Sequence, residues 1–188
     1  MTVRSSLIAV GLGLAALLSA VPAAAQTLVP AQSEISFVAK QLGVPLSGRF
    51  KSFSTQMAFD PKQPQSIKVA FQIDLASVAV NADADVELVK PEWFSAAKFP
   101  KATFQSSSIK ALGAGKFEVA GKLSIKGISR DIVVPFSLQQ NGTQQVVSGT
   151  VPLKRLAFNV GEGAWSDTDT VADDVLVKFR LILQPLNP

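Results

Sequence analysis

The segment KFEVAGKLSIKGISRDIVVPFSL, residues 116–138, decides how this chain folds. In its first half Phe117, Val119, Leu123 and Ile125 fall on one face, with Gly121 among them. Lys116, Glu118, Lys122, Ser124 and Lys126 fall on the other, with Ala120. A period of two marks a half-buried strand. Gly127 breaks the run. Ile132, Val134, Phe136 and Leu138 then take one face, and Asp131, Val133, Pro135 and Ser137 the other. Two such runs around a short glycine-containing break read as a β-hairpin. Pro135 has no N–H to give, so its strand lies at an edge or carries a bulge there.

The same alternation recurs outward from this hairpin. Ser33 to Lys40 puts Ile35, Phe37 and Ala39 on one face, before Gly43, Pro45 and Gly48 interrupt the pattern. Arg49 to Phe53 leads into a run from Thr55 to Asp60, and Asp60-Pro61-Lys62-Gln63-Pro64 is a turn. Ser66 to Ser77 alternates cleanly, with Ile67, Val69, Phe71, Ile73 and Leu75 facing one way. Between Asn81 and Lys90 the period changes; Asn81 or Asp83 caps a short helix and Pro91 ends it. Trp93-Phe94 and Phe99-Pro100 follow, then a strand from about Lys101 to Lys110. Beyond the hairpin, Asn141-Gly142 is a tight turn, Gln144 to Phe158 is a long bent strand, Gly161 to Asp173 is a polar loop carrying Trp165, and Asp174 to Gln184 is the last strand. Eight strand-like runs and one short helix point to an all-β antiparallel sandwich or barrel. A barrel of that size either fills with side chains or holds one small ligand. Gly121 and Gly149, on apolar faces, are expected to leave space there.

The 188 residues suit one domain, and 47% of them are hydrophobic, enough for a sizeable core. There are 12 Phe and 2 Trp but no Tyr, no Cys and no His. These absences exclude a thiol nucleophile, an iron–sulfur centre, a Ser-His-Asp triad and the commonest zinc ligands. At the N-terminus, Arg4, an apolar run from Leu7 to Leu18 and Ala23-Ala24-Ala25 form a secretory signal peptide over residues 1–25, with the working domain at 26–188. The expected compartment is the periplasm. Cleavage removes Arg4 and leaves 17 basic against 14 acidic residues, scattered rather than clustered. That balance does not suit nucleic acid, and the apolar run is short for a stable membrane span.

An outer-membrane barrel would turn its apolar face to lipid, between aromatic girdles. Here Tyr is missing, and Lys68, Asp74, Glu118, Lys122, Asp131, Lys178 and Arg180 form a wetted face, so the apolar face is expected inside. The candidate lining is Phe37, Phe50, Phe59, Phe71, Ile73, Phe104, Phe117, Val119, Leu123, Val134, Phe136, Phe179 and Leu181, to which Trp93, Phe94, Phe99 and Phe158 are added. These side chains either surround an apolar ligand or pack a solid core; periodicity alone leaves both open. Arg49 and Arg155 are candidates to meet a ligand's polar head, or equally are rim charges. The remaining catalytic option is a carboxylate hydrolase drawing on Asp83/Asp85 and on Asp167, Asp169, Asp173 and Asp174, but solvated loop acids are the simpler reading. The second group lacks the glycine and terminal Glu of a calcium-binding loop.

Taken together, several pieces resemble the YceI-like family of periplasmic, lipocalin-like proteins. They are Ser33 to Phe37; Val44 to Phe53 with Gly48 and Phe50; Trp93-Phe94; Lys98 to Phe104; Gly121 to Gly127; and Arg155 to Phe158 with Gly161 and Trp165. The likeness spans about Ser33 to Leu183. It implies an extended eight-stranded antiparallel barrel under a short helix and a long apolar ligand inside, such as a polyisoprenoid, quinone or fatty amide; no catalysis and no cofactor are expected. A homodimer is compatible with it. Trp93 departs from the acid-Phe-Phe pattern usual in the family, and no His stands at the early loop position where many members have one.

Overall fold

The computed structural model describes residues 26–58 and 68–185. The expectations for the signal segment 1–25, for Phe59, for the turn 60–64 and for the start of the strand at Ser66 lie outside those residues. One antiparallel sheet curls on itself and carries nearly all the structure. Its strands are β1 (Gln26–Leu28), β2 (Glu34–Gln41), β3 (Val44–Phe50), β4 (Phe53–Ala58), β5 (Lys68–Asp74), β6 (Val78–Ala79), β7 (Lys101–Gly113), β8 (Lys116–Ile125), β9 (Ile128–Asn141), β10 (Gln144–Lys154) and β11 (Asp174–Pro185). Among the described residues a single α-helix, α1, spans Ala82–Leu88. β1 continues into β2 across a short 3₁₀ turn, Pro30–Gln32, and β3 continues into β4. Counted that way, with two-residue β6 set aside, the eleven strands are eight staves of an all-β, lipocalin-like barrel.

β1 closes the ring, pairing with β11 on one side and at Gln26↔Met57 with β4 on the other. β2 takes over the β11 partnership from Glu34 to Val38. The opening hairpin of the sequence is in place, with β8 and β9 paired from Ile125↔Ile128 to Lys116↔Ser137. The β9–β10 ladder, by contrast, runs only from Gln144↔Asn141 to Gly149↔Phe136. It stops at Pro135, which cannot donate, so the expected local edge is real. Beyond that point β10 continues along β11 alone, to Lys154↔Asp174. The upper part of the wall is joined there by packing, with Val134 and Val151 in one cluster, and not by hydrogen bonds.

Two boundaries differ from the sequence reading. Val44–Phe50 is a strand, paired with β2 from Gln41↔Val44 to Ile35↔Phe50, although Gly43, Pro45 and Gly48 looked like interruptions. Conversely, β10 ends at Lys154, and Arg155–Phe158 forms a 3₁₀ turn where a strand was expected to continue. The helix is where the period changed, and Asn81 caps it by accepting from the Ala84 N–H at 3.0 Å.

Apolar strand faces point inward. Ile35, Phe37, Val119, Val134, Val147, Val151, Leu181 and Leu183 are buried, while Lys68, Lys122, Asp131, Lys178 and Arg180 are exposed. No helix among the described residues is long and apolar enough to cross a membrane. Strand ends and connections place residues 75–100 and 155–173 together at one end of the barrel, where they form its cap.

Candidate ligand-binding site

The barrel surrounds a cavity of about 690 Å³. Its walls are drawn from every stave, including Phe37, Leu46, Phe71, Phe104, Ile132 and Val175. Polar lining residues are few. Lys40 and Gln41 at the end of β2 and Asn81 and Asp83 at the start of α1 are exposed, with half-buried Glu87 beside them, so the cavity meets solvent there; Arg155 belongs to the cap.

Three glycines help shape the wall. Gly48, Gly121 and Gly149 each face a phenylalanine ring on the adjacent strand: Phe37, Phe104 and Phe179. A Cβ at Gly48 would stand 2.4 Å from Phe37 Cζ, and one at Gly149 2.5 Å from Phe179 Cζ. The expectation that Gly121 and Gly149 simply leave space is therefore corrected: the rings occupy it. Without a Cβ beneath them, these rings can lie close against the sheet.

The cap is tied together by Arg155, which is 5% exposed. All five of its N–H groups donate to backbone carbonyls: Nε to Ala172 at 3.1 Å, Nη1 to Val160 at 2.9 Å and Gly161 at 3.0 Å, Nη2 to Trp165 at 2.6 Å and Val171 at 2.7 Å. Burial holds the guanidinium below its ordinary pKa, with Asp173 opposing the shift. Gly161 has φ +84°, and a Cβ there would stand 2.2 Å from Arg155 Nη1, so glycine is required by both the backbone and the close approach. The guanidinium also sits 5.7 Å from the Trp93 ring centroid, and Trp93 packs 5.3 Å from Trp165. Lys126 ties the β8–β9 turn to the same cap, donating to the Asn159 carbonyl at 2.8 Å and pairing with Glu162 at 2.6 Å.

Most of the expected lining lies on the cavity. Phe37, Phe50, Phe71, Ile73, Trp93, Phe94, Phe104, Val119, Leu123, Val134, Phe136, Phe158, Phe179 and Leu181 all border it. Two do not. Phe117 is buried in the wall, stacked on Phe136 with centroids 5.2 Å apart. Phe99 covers Gly127, where a Cβ would be 2.8 Å from its ring, and lies under the Lys98 ammonium. Arg49 is exposed on the outer face of β3 and does not border the cavity. Arg155 borders it but has no N–H left for a ligand head, and its burial also rules out the rim reading. Leu46, Val80, Ala84 and Leu88 also join the lining, around the opening, although none of them was expected there. For Ala84 and Leu88 the only signal was the change of period after Asn81.

The acids are dispersed among local tasks. Asp85 accepts from the Val80 N–H at 2.6 Å, Asp167 from the Asp169 N–H and the Thr170 hydroxyl, and Asp173 from the Leu156 N–H, while Asp174 pairs with Lys154. The Asp169 N–H, followed by the Thr170 hydroxyl, holds the Asp167 carboxyl below its usual range. Asp83 alone of these reaches the cavity, at its opening. Among the described residues no group of three acids is placed to hold a metal ion.

Comparison with known proteins agrees with this architecture. The family model described as "YceI-like domain" matches residues 26–183. A UPF0312 protein of Azotobacter vinelandii is 31% identical over 136 residues, covering 70% of this chain and 71% of its own. The crystal structure of Burkholderia cenocepacia BcnA superposes with a TM-score of 0.80 at 42% identity, over 82% of this chain and 98% of that one. A domain of Saccharophagus degradans, described as polyisoprenoid-binding and implicated in plant cell wall breakdown, superposes with a TM-score of 0.69 over 87% of this chain and 99% of that one. At 19% identity that last likeness concerns the fold.

Proposed function

This chain belongs to the YceI-like family, and from that footing we propose that it binds one long apolar amphiphile, without covalent attachment, inside the barrel. The observation that carries the reading is the cavity, which is large, almost wholly apolar and open at one end between α1 and the β2–β3 hairpin. Its volume of about 690 Å³ is four to five times the ~150 Å³ that accepts one benzene ring, so it has room for a chain on the order of 25–30 carbons, about five or six isoprene units. Each buried CH₂ group contributes about 0.8 kcal/mol, so such a chain reaches micromolar affinity or better after the cost of ordering it. The described fold relative named for polyisoprenoid binding makes that chemical class a natural first choice. A polyisoprenoid, a prenylated quinone or a fatty amide all fit the same space. We assign the protein a binding role and no reaction, because its loop acids serve local hydrogen bonds and ion pairs. We place it in the periplasm on the strength of the leader-like residues 1–25.

Filling the cavity tests the reading. Val151 is buried and borders the lumen. In a solid core, Val151→Phe would cost about 1–3 kcal/mol through overpacking. In a hollow barrel the added ring has somewhere to go. The expected outcome is a urea unfolding free energy changed by less than about 1 kcal/mol, together with a fall of at least tenfold in affinity for a prenyl alcohol. Strong destabilisation with binding unaltered would overturn the proposal.

A further inference from the structure

We propose that the tip of the β2–β3 hairpin and the adjoining outer face of β11 dock the barrel on a bilayer containing anionic phospholipid, with the cavity mouth at the lipid surface. The inference rests on the binding role proposed above and adds the place where the ligand is exchanged. β2 and β3 are joined by the two-residue turn Leu42-Gly43, with φ of +50° and +78°. The same positive-φ turn recurs as Ala114-Gly115 and Lys126-Gly127, so the geometry asks for no leucine. Yet Leu42 is 72% exposed and Val44, just beyond Gly43, is 65% exposed. Neither borders the cavity. Apolar side chains held together in water add little to the fold and mark a surface that meets something else. The tip is held firmly, because the Leu42 N–H donates to the Thr170 carbonyl at 2.9 Å and Gln41 bridges to Val171. Lys40 and Gln41, at the same end of β2, border the cavity, so the tip stands at its mouth.

Charge and register choose the occupant. Lys178, Ser36 and Arg49 pair in one row across β11, β2 and β3. Ile35 and Phe37, on either side of Ser36, are buried, so this row faces outward. Lys178 and Arg49 are exposed and make no ion pair or side-chain hydrogen bond among the described residues. Two strands separate them by about 10 Å. In the next row toward the tip, exposed Leu176 lies between Pro152 and Val38. The acids of this face are matched: Asp174 pairs with Lys154, and Glu34 stands opposite Arg180. Unpaired cations beside exposed apolar side chains suit the anionic headgroups and acyl boundary of a bilayer. A bilayer is also the store from which a long apolar chain, insoluble in water, has to come. Asp83 at the mouth, and Asp167 and Asp169 in the loop that anchors the tip, oppose an anionic surface. Charge alone therefore does not hold the chain there, and the apolar tip is needed.

Co-sedimentation of the protein with vesicles tests this, using phosphatidylcholine alone and phosphatidylcholine with about one quarter phosphatidylglycerol. Wild type is expected to bind the anionic vesicles at least about tenfold more tightly, an advantage lost in about 0.5 M salt. Arg49→Glu with Lys178→Glu is expected to remove the same advantage. Leu42→Asn with Val44→Thr is expected to weaken binding to the anionic vesicles about tenfold. Asn suits the positive-φ turn position and Thr suits a strand, so this pair leaves the thermal midpoint in place. Both pairs are expected to keep wild-type affinity for a prenyl alcohol delivered from cyclodextrin, because none of the four residues borders the cavity. Equal binding to the two vesicle types, or anionic binding untouched by either pair, overturns the inference. A wild type that takes up the alcohol but binds no vesicle also overturns it, turns the tip toward a protein partner and leaves the binding role standing. A wild type that takes up no alcohol refutes the proposed function first, and the docking inference with it.

Discussion

Gly48 shows how one residue can widen a barrel. Phe37 sits directly across from it on β2, and the missing Cβ lets the ring lie close to the backbone. The three atoms nearest to a Cβ placed there are all side-chain atoms, of Phe37 and Val80, so side chains are the first to give way. In Gly48→Ala the new methyl would stand 2.4 Å from Phe37 Cζ, and the ring must move. We predict that it turns into the lumen, lowering prenyl-alcohol affinity by about tenfold while the thermal midpoint falls by only a few degrees. Calorimetric titration and melting of the same preparation check both numbers; a large loss of stability with affinity intact would show that the ring moved elsewhere. At this scale the sequence was only partly readable. Fourteen of the expected lining residues border the cavity, because period-two alternation reports which way a side chain faces. It reports nothing about what meets that side chain. Phe117 has the right phase but lies in the wall against Phe136. Arg155 stands next to an apolar run in the chain, yet its partners come from residues 160 to 172 and converge only in the fold.

Among the elements, β3 and α1 together form the opening, and β3 was the one most obscured in the sequence. Gly43, Pro45 and Gly48 are ordinarily signs of a loop. Here Gly43 takes φ +78° in the hairpin turn, Pro45 lies where β3 pairs with β2 on one side and with β6 only at Arg49 and Phe50, and Gly48 makes room for a ring. Each breaker has an edge-strand task. Pro135 was easier to interpret, because a proline inside an alternating run has few explanations. Its consequence, a β9–β10 ladder that ends halfway, needed coordinates. The helix was legible from its cap. Asn81 accepts from the Ala84 N–H, and α1 has only seven residues, so the cap is a large part of its local stability. Asn81→Ala is expected to remove about 0.5–2 kcal/mol of that stability and to loosen the helix over the opening. Ligand release followed by stopped-flow fluorescence should then be several-fold faster, with affinity changed less than the rate. An unchanged rate would mean that the ligand leaves elsewhere.

For the whole molecule, the question left open by periodicity was whether the inward face meets itself or surrounds a space. Alternating runs, hairpin turns and one short helix narrowed the fold to an all-β sandwich or barrel and the family resemblance favoured the barrel, but a filled and a hollow barrel share the same pattern. The difference lies in bore, and the bore depends on rings lying close over three glycines and on a wall whose β9–β10 ladder ends at Pro135. Those are relations between strands, invisible along any one of them. The resulting lumen, about 690 Å³ with its polar residues gathered at one end, is the basis of the account. Native mass spectrometry of the protein, incubated with an excess of a five-isoprene alcohol and then freed of unbound lipid, tests it most directly. The account predicts a single bound molecule per chain, retained in wild type and lost in Val151→Phe. A bare chain mass under all conditions, or an adduct that survives equally in the filled variant, would contradict it.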